Sequence, residues 1–304
     1  MKTRLGYCCV SLGEYCSSFK TTTLTNTKKL KDEARKKLEN IWKHNLQELV
    51  AVLNYNRALG IPLYRISSNM FPLADHEDYV NYWEIFCENS KNFKEAKESV
   101  SKFIAAGGRL GAHPSQFVSI GSEDKKTRKN SAVNLEFHST VFDLLGLPRT
   151  REASINIHLS SGKKGAENVP YFVNSLDNLS DGVRTRLVFE TEDKGFWTWQ
   201  QIAKYFPAYP ITLDFHHWKI NNQGEPLQEA FDACVDSWLG ERPLMHISEG
   251  KSKPLDRAHH DWVSTLPEQV LSHSVDLEIE AKKKDLAVLT LVQKYKDYVY
   301  TLPA

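Results

Sequence analysis

Short runs of β-branched and aliphatic residues alternate along the chain with longer stretches of helical periodicity. The runs predict strands at Arg4–Val10, Leu63–Ile66, Arg109–His113, Ser154–His158, Arg186–Glu190, Ile211–Asp214, Leu244–His246 and Val275–Glu280. The longer stretches predict helices at Asp32–Leu59, Asn92–Ala106, Lys129–Leu145, Val169–Leu179, Thr198–Tyr205, Leu227–Trp238, Pro267–Leu271 and Lys284–Tyr295. In the first of these, Leu38, Ile41, Trp42, Leu46, Leu49, Leu53 and Leu59 recur at helical spacing, a stripe suited to covering a sheet.

Eight strands, each followed by a helical stretch and with no long Gly/Pro/Ser linker, predict an α/β fold. The expected form is a single (β/α)8 TIM barrel over residues 1–304, with its site at the C-terminal mouth of the strands. A doubly wound open sheet is the competing topology. It would carry a glycine-rich phosphate loop after the first strand, and GYCCVSLG is not one.

Composition narrows the class. The 304 residues are 41% hydrophobic and 25% charged, as in a soluble globular protein. No apolar run approaches the roughly 20 residues of a membrane helix, and the N-terminal stretch lacks an apolar signal core, so a cytoplasmic protein without a membrane or an obligate protein partner is expected. The five cysteines form no CxxC pair, which disfavours structural zinc and a disulfide framework. With a net charge of +1, a nucleic-acid partner requires the basic residues to gather on one face.

The ionisable residues carry the functional signal. The third to eighth strands end at His113, His158, Glu190, Asp214, His246 and Glu280, with His217 three residues after Asp214. A barrel brings all these ends to one mouth. Such a carboxylate cluster is costly unless a divalent cation turns its members into ligands. Mixed His/Asp/Glu ligation without Cys fits catalytic Zn or Mn, and six or seven ligands suggest more than one ion. Glu190 could bridge two of them, an arrangement suited to phosphodiester cleavage.

Three lysine-rich loops follow strand ends: VSIGSEDKKTRKN, LSSGKKG and SEGKSKPLDR. They place Lys125, Lys126, Arg128, Lys163, Lys164, Lys251, Lys253 and Arg257 where they could hold phosphates. Tyr7, Phe117, Trp197, Trp199 and Trp218 lie at or after strand ends and could stack on bases, although core packing is the commoner fate of such residues.

The segments PLYRISSNMFPLADH, GAHPSQFVSI, NIHLSSGKKG, VFETED, LDFHHWKI, MHISEGKS, RAHHDW and LEIEAKKKD follow the order and spacing of the UV damage endonucleases. The resemblance runs from about Arg4 to Leu291. It implies a metal-dependent DNA repair enzyme that nicks damaged double-stranded DNA immediately 5′ to UV photoproducts, with divalent ions, commonly manganese. It further implies one ion site at His113, His158 and Glu190, a second at Glu190, Asp214, His246 and Glu280, and a third at His217 and His259. His76 matches an active-site histidine and, with Glu190 and His246, is expected to be catalytic. Gln116 and Phe117 match a pair inserted at the lesion, and Tyr7 matches an aromatic probe.

Two positions depart from the family pattern. Leu244 stands where the family often has a carboxylated lysine, and Ser11 where it often has Asn at a lesion-probing position. The rival readings are an apurinic-site endonuclease, a metal-dependent sugar isomerase on a related barrel, and a non-catalytic damage-binding protein.

Overall fold

A computed structural model describes residues 2–115, 117–159 and 165–303. Eight parallel strands follow the predicted runs closely: β1 (Thr3–Cys8), β2 (Leu63–Ile66), β3 (Arg109–Ala112), β4 (Ile155–His158), β5 (Leu187–Glu190), β6 (Ile211–Thr212), β7 (Leu244–Ile247) and β8 (Asp276–Ile279). They pair in the order β6-β5-β4-β3-β2-β1-β8-β7. A parallel bridge between Asp214 and His246 joins the two ends, and the His246 N–H donates to the Leu213 carbonyl at 3.0 Å. The sheet is thus drawn into the expected (β/α)8 barrel, with helices around it.

Alternation along each strand sends every second side chain into the barrel, where they stack in layers. At the N-terminal end Asp276 is fully buried and meets three guanidinium groups, from Arg4 (2.5 Å), Arg109 (2.8 Å) and Arg242 (2.6 Å). Burial opposes its charge, but the arginines hold the carboxyl below its usual range. Removing its partners would leave an uncompensated buried ion, which is strongly destabilising. Leu63, Val188, Leu244 and Trp238 form an apolar cluster in the next layer. Gly6 on β1 keeps this interior tight, because a Cβ there would stand 2.0 Å from the Leu63 carbonyl oxygen. One step further along the strands come Arg65, Glu190, His246 and Glu278, all buried.

The opposite faces of the strands pack on helices. Tyr7 points outward, and its hydroxyl donates to Asn56 Oδ1 at 2.7 Å on the helix Ala34–Ala58. That helix buries Leu38, Ile41, Trp42, Leu46, Leu49 and Leu53 as predicted, whereas Leu59 at its C-cap is half-buried.

Three local differences from the sequence expectation have identifiable causes. The helix predicted from Lys129 begins at Lys125, because Asp124 caps it by accepting from the Thr127 N–H at 2.7 Å. It ends on Gly146 in the left-handed conformation, φ 81°. Strand β6 stops at Thr212 rather than Asp214, since Asp214 becomes the N-cap of an additional helix, Phe215–Asn221. The other additional elements include the helices Leu24–Lys28, Val80–Asn89 and Asp181–Arg184, the 3-10 turns Arg151–Ala153 and Gly165–Asn168, and β9 (Val299–Tyr300), which pairs with β1. Most are too short to be stable without caps or tertiary packing, which sequence periodicity does not register. Among the described residues, no helix is long and apolar enough to cross a membrane.

Candidate metal centre at the barrel mouth

Glu190, at the end of β5, is the centre of the mouth. It is buried, and its Oε2 accepts from Asn156 Nδ2 at 2.5 Å, with His113 Nε2 at 3.0 Å and His246 Nδ1 at 3.2 Å. Its Oε1 stands 3.4 Å from His217 Nδ1. Among the described residues four ligand-type groups lie here: His113, His158 and Glu190; Glu190, Asp214 and His217; Asp214, His246 and Glu280; and, deeper and sharing Glu280, Cys8, Glu278 and Glu280. Glu190, expected to belong to two sites, joins two of these groups, and Asp214 also joins two, so the mouth forms one connected cluster. His217 groups with Glu190 and Asp214 rather than with His259. His259, in the Gly250–His259 bridge, adjoins Glu280 instead: its Nδ1 donates to the Glu280 carbonyl at 2.9 Å and lies 3.7 Å from Glu280 Oε2.

The imidazoles are aimed by backbone acceptors. His113 Nδ1 donates to the Pro114 carbonyl at 2.9 Å, and His217 Nδ1 to the Thr191 carbonyl at 2.8 Å. In His113 this sets the tautomer and leaves Nε2, which faces Glu190, for a ligand, whereas in His217 the bonded Nδ1 is itself the nitrogen 3.4 Å from Glu190. His158 Nδ1 lies 3.5 Å from Glu192 Oε1.

Electrostatics favours positive charge here. Burial opposes protonation of His158, but Glu190, Glu192 and Glu280 outweigh it and raise its pKa to about 9. His217 and His246 are also raised against burial, by Asp214 and Glu190 and by Glu190 and Glu278 respectively. Burial pushes Glu190 and Glu280 up, yet the neighbouring imidazoles and, for Glu280, Arg65 pull both below the carboxylate range. Meanwhile Asp214 Oδ2, His158 Nδ1 and both ring nitrogens of His246 are buried without a hydrogen-bond partner. Unpartnered buried oxygen and nitrogen lone pairs in a carboxylate–imidazole cluster fit a divalent cation, which would take the role that protons take here.

The structure redistributes the residues expected to touch DNA. Phe117, in the turn after β3, is 79% exposed, and Lys251 and Lys253 are exposed on the loop after β7. Those lysines line a groove of about 580 Å³ together with Trp218 and Lys219. Tyr7 and Ser11 are both fully buried, so neither faces the mouth as a lesion probe: Tyr7 lies on the helix-facing side of β1, and Ser11 is covered in the turn beyond it. Arg257 is neutralised by Asp193, and Arg128 is spent on the carbonyls of Ser122 and Glu123. Trp197 is buried, while Trp199 and Trp218 both donate their indole N–H to Glu225. His76 contacts Asp78 and Tyr79 and joins none of the ligand groups among the described residues. Gln116, Lys163 and Lys164 lie outside the described residues.

Sequence reading missed Asn156, Glu278 and Arg65, which also reach this interior. Asn156 and Glu278 lie two residues before His158 and Glu280, so strand alternation alone points them inward. Nothing local marks Arg65.

Fold and mouth together define a (β/α)8 barrel protein with a histidine–carboxylate cluster, a candidate metal centre, at its strand ends. Endonuclease IV from Thermus thermophilus shares the fold at 15% identity, with a TM-score of 0.60 over 97% of this chain and 98% of that one. The family model described as UV-endonuclease UvdE matches residues 3–301, and the chain belongs to that family of DNA repair endonucleases. Among its relatives, the UV DNA damage endonuclease of Bacillus cereus (strain 03BB102) is 30% identical, covering 97% of this chain and 95% of the relative. The crystal structure of SacUVDE matches with a TM-score of 0.82 at 25% identity, over 97% of this chain and 98% of that one.

Proposed function

We propose that this protein nicks duplex DNA immediately 5′ to UV photoproducts and related lesions, using divalent ions, manganese foremost, held by His113, His158, Glu190, Asp214, His217, His246 and Glu280. The observation that carries this reading is the position of Glu190, a buried carboxylate shared by two ligand groups at the barrel mouth. Divalent ions there would supply water activation and take up charge on the leaving oxygen. The chain's own residues do the rest. Asn156 and the imidazoles hold Glu190 in one orientation. Lys251 and Lys253 contact phosphates, which positions a duplex without reading its sequence. Phe117, already exposed, enters the space where a damaged base pair has lost its stacking, and damage lowers the cost of opening that step.

The test is nicking of a duplex with one defined photoproduct, beside an undamaged duplex, under Mn2+, Zn2+, Mg2+ or chelator. The expected result is a single cut 5′ to the lesion that needs a divalent ion and is largely lost in Glu190→Gln. Equal cutting of both duplexes, or cutting that survives chelation, would remove the proposal. Conversion of a sugar without nicking would favour the isomerase reading instead.

A further inference from the structure

We propose that Glu278 is a positioning residue that fixes which nitrogen of His246 faces the ligand group, and that Arg65 locks Glu278 in place. The inference rests on the metal-centre reading above. Strand alternation sends Asp276, Glu278 and Glu280 of the β8 region into the barrel at successive depths. Asp276 is consumed by arginines, and Glu280 belongs to a ligand group with Asp214 and His246. Glu278 lies between them, 1% exposed and in register with His246 on the neighbouring strand.

His246 is itself wholly buried, and its two nitrogens face different carboxylates. Nδ1 stands 3.2 Å from Glu190 Oε2 and 3.4 Å from Glu280 Oε1, on the ligand side. Nε2 stands 3.2 Å from Glu278 Oε2, on the interior side. His113 and His217 have backbone carbonyls as orienting acceptors. His246 has Glu278 facing Nε2 in that place, through an ion-pair contact rather than an aligned hydrogen bond. A carboxylate there keeps the proton on Nε2 and directs the Nδ1 lone pair at Glu190, Asp214 and Glu280.

Arg65 makes this arrangement tenable. Its Nη2 donates to Glu280 Oε1 at 2.6 Å and its Nη1 lies 3.1 Å from Glu278 Oε2 as an ion pair without an aligned hydrogen bond, so one guanidinium offsets two like charges. Leu244, two residues before His246, contributes only to the apolar layer below.

The experiment is calorimetric titration of the ion-free full chain with Zn2+ and with Mn2+, in wild type, Glu278→Gln and Glu278→Met, each with a thermal melt. A glutamine amide oxygen still accepts the Nε2 proton, so Glu278→Gln should stay close to wild type. Glu278→Met removes the acceptor and should weaken binding roughly 10–100-fold. Equal losses in both variants would assign the effect to charge rather than orientation, and no loss in Glu278→Met would make Glu278 structural; either overturns the proposal. Should Glu278→Met not fold, the histidine 15N spectrum of the Zn-loaded wild type decides. A proton on His246 Nε2 supports the assignment and one on Nδ1 overturns it. A wild type that binds neither ion would sink the metal-centre reading itself, a result distinct from all of these.

Discussion

Asp214 and His246 are partners in the parallel bridge that joins the two ends of the sheet, and their side chains belong to one ligand group. Closing the barrel and assembling the site are therefore the same event at these residues. Asp214 divides its two oxygens between the tasks. Oδ1 accepts from the His216 and His217 N–H groups at 2.7 and 2.8 Å, capping the helix that carries His217, and Oδ2 is buried without a hydrogen-bond partner. The two roles can be separated. Asp214→Asn keeps a cap oxygen and should retain the thermal midpoint of the ion-free protein while losing divalent-ion affinity. Asp214→Ala should lose affinity and also about 1 kcal/mol of stability, the usual worth of an N-cap. Melts and metal titrations of both variants check this, and equal stability in the two would deny the capping role.

Phe117 offers the clearest test of lesion recognition, since it is 79% exposed and contributes little to the core. A base–aromatic stack is worth roughly 1–3 kcal/mol, so Phe117→Ala should weaken binding to damaged duplex by about one to two orders of magnitude. Binding to undamaged duplex, resting on lysine–phosphate contacts, should hardly change, and neither should the melting temperature. Parallel binding curves at fixed salt measure both. Equal weakening on the two duplexes would remove Phe117 from recognition.

Protons and cations compete for the mouth. Burial disfavours a charged His158, yet Glu190, Glu192 and Glu280 raise it from 6.5 to about 9. A raised folded-state value contributes stability that is complete below the unfolded value of 6.5 and is lost as pH rises through about 9. The ion-free protein should therefore lose this part of its stability across that window. Affinity for Mn2+ should rise over the same window, with proton release on binding, because ligation requires the neutral imidazole. Thermal melts at several pH values, with and without Mn2+, provide the check. Affinity that falls as pH rises through this range would contradict the assignment.

Much of the barrel and most of its mouth are legible in the sequence for one physical reason. Parallel strands buried on both faces read as short apolar runs, and their polar ends stand out against them. His113, His158, Glu190, Asp214, His246 and Glu280 are visible because each interrupts such a run at its C-terminal end. The barrel topology then brings those ends together.

What the linear pattern does not carry is the choice of partner. Tyr7 and Cys8 are adjacent, and only the packed helix Ala34–Ala58 makes Tyr7 a helix-facing core residue bonded to Asn56. Arg257 resembles any loop cation until Asp193 neutralises it from another loop. Leu244, read alone, is a missing ligand; in the fold it belongs to an apolar layer with Leu63, Val188 and Trp238. Arg65, on β2, is an isolated charge in sequence and becomes the counterion of two carboxylates from the β8 region once the ring closes. By itself, then, the sequence determined which residue types stand at the strand ends and hence the chemistry available there. Tertiary structure alone decided which of them are free to meet a ligand, because burial and charge compensation depend on neighbours distant in the chain.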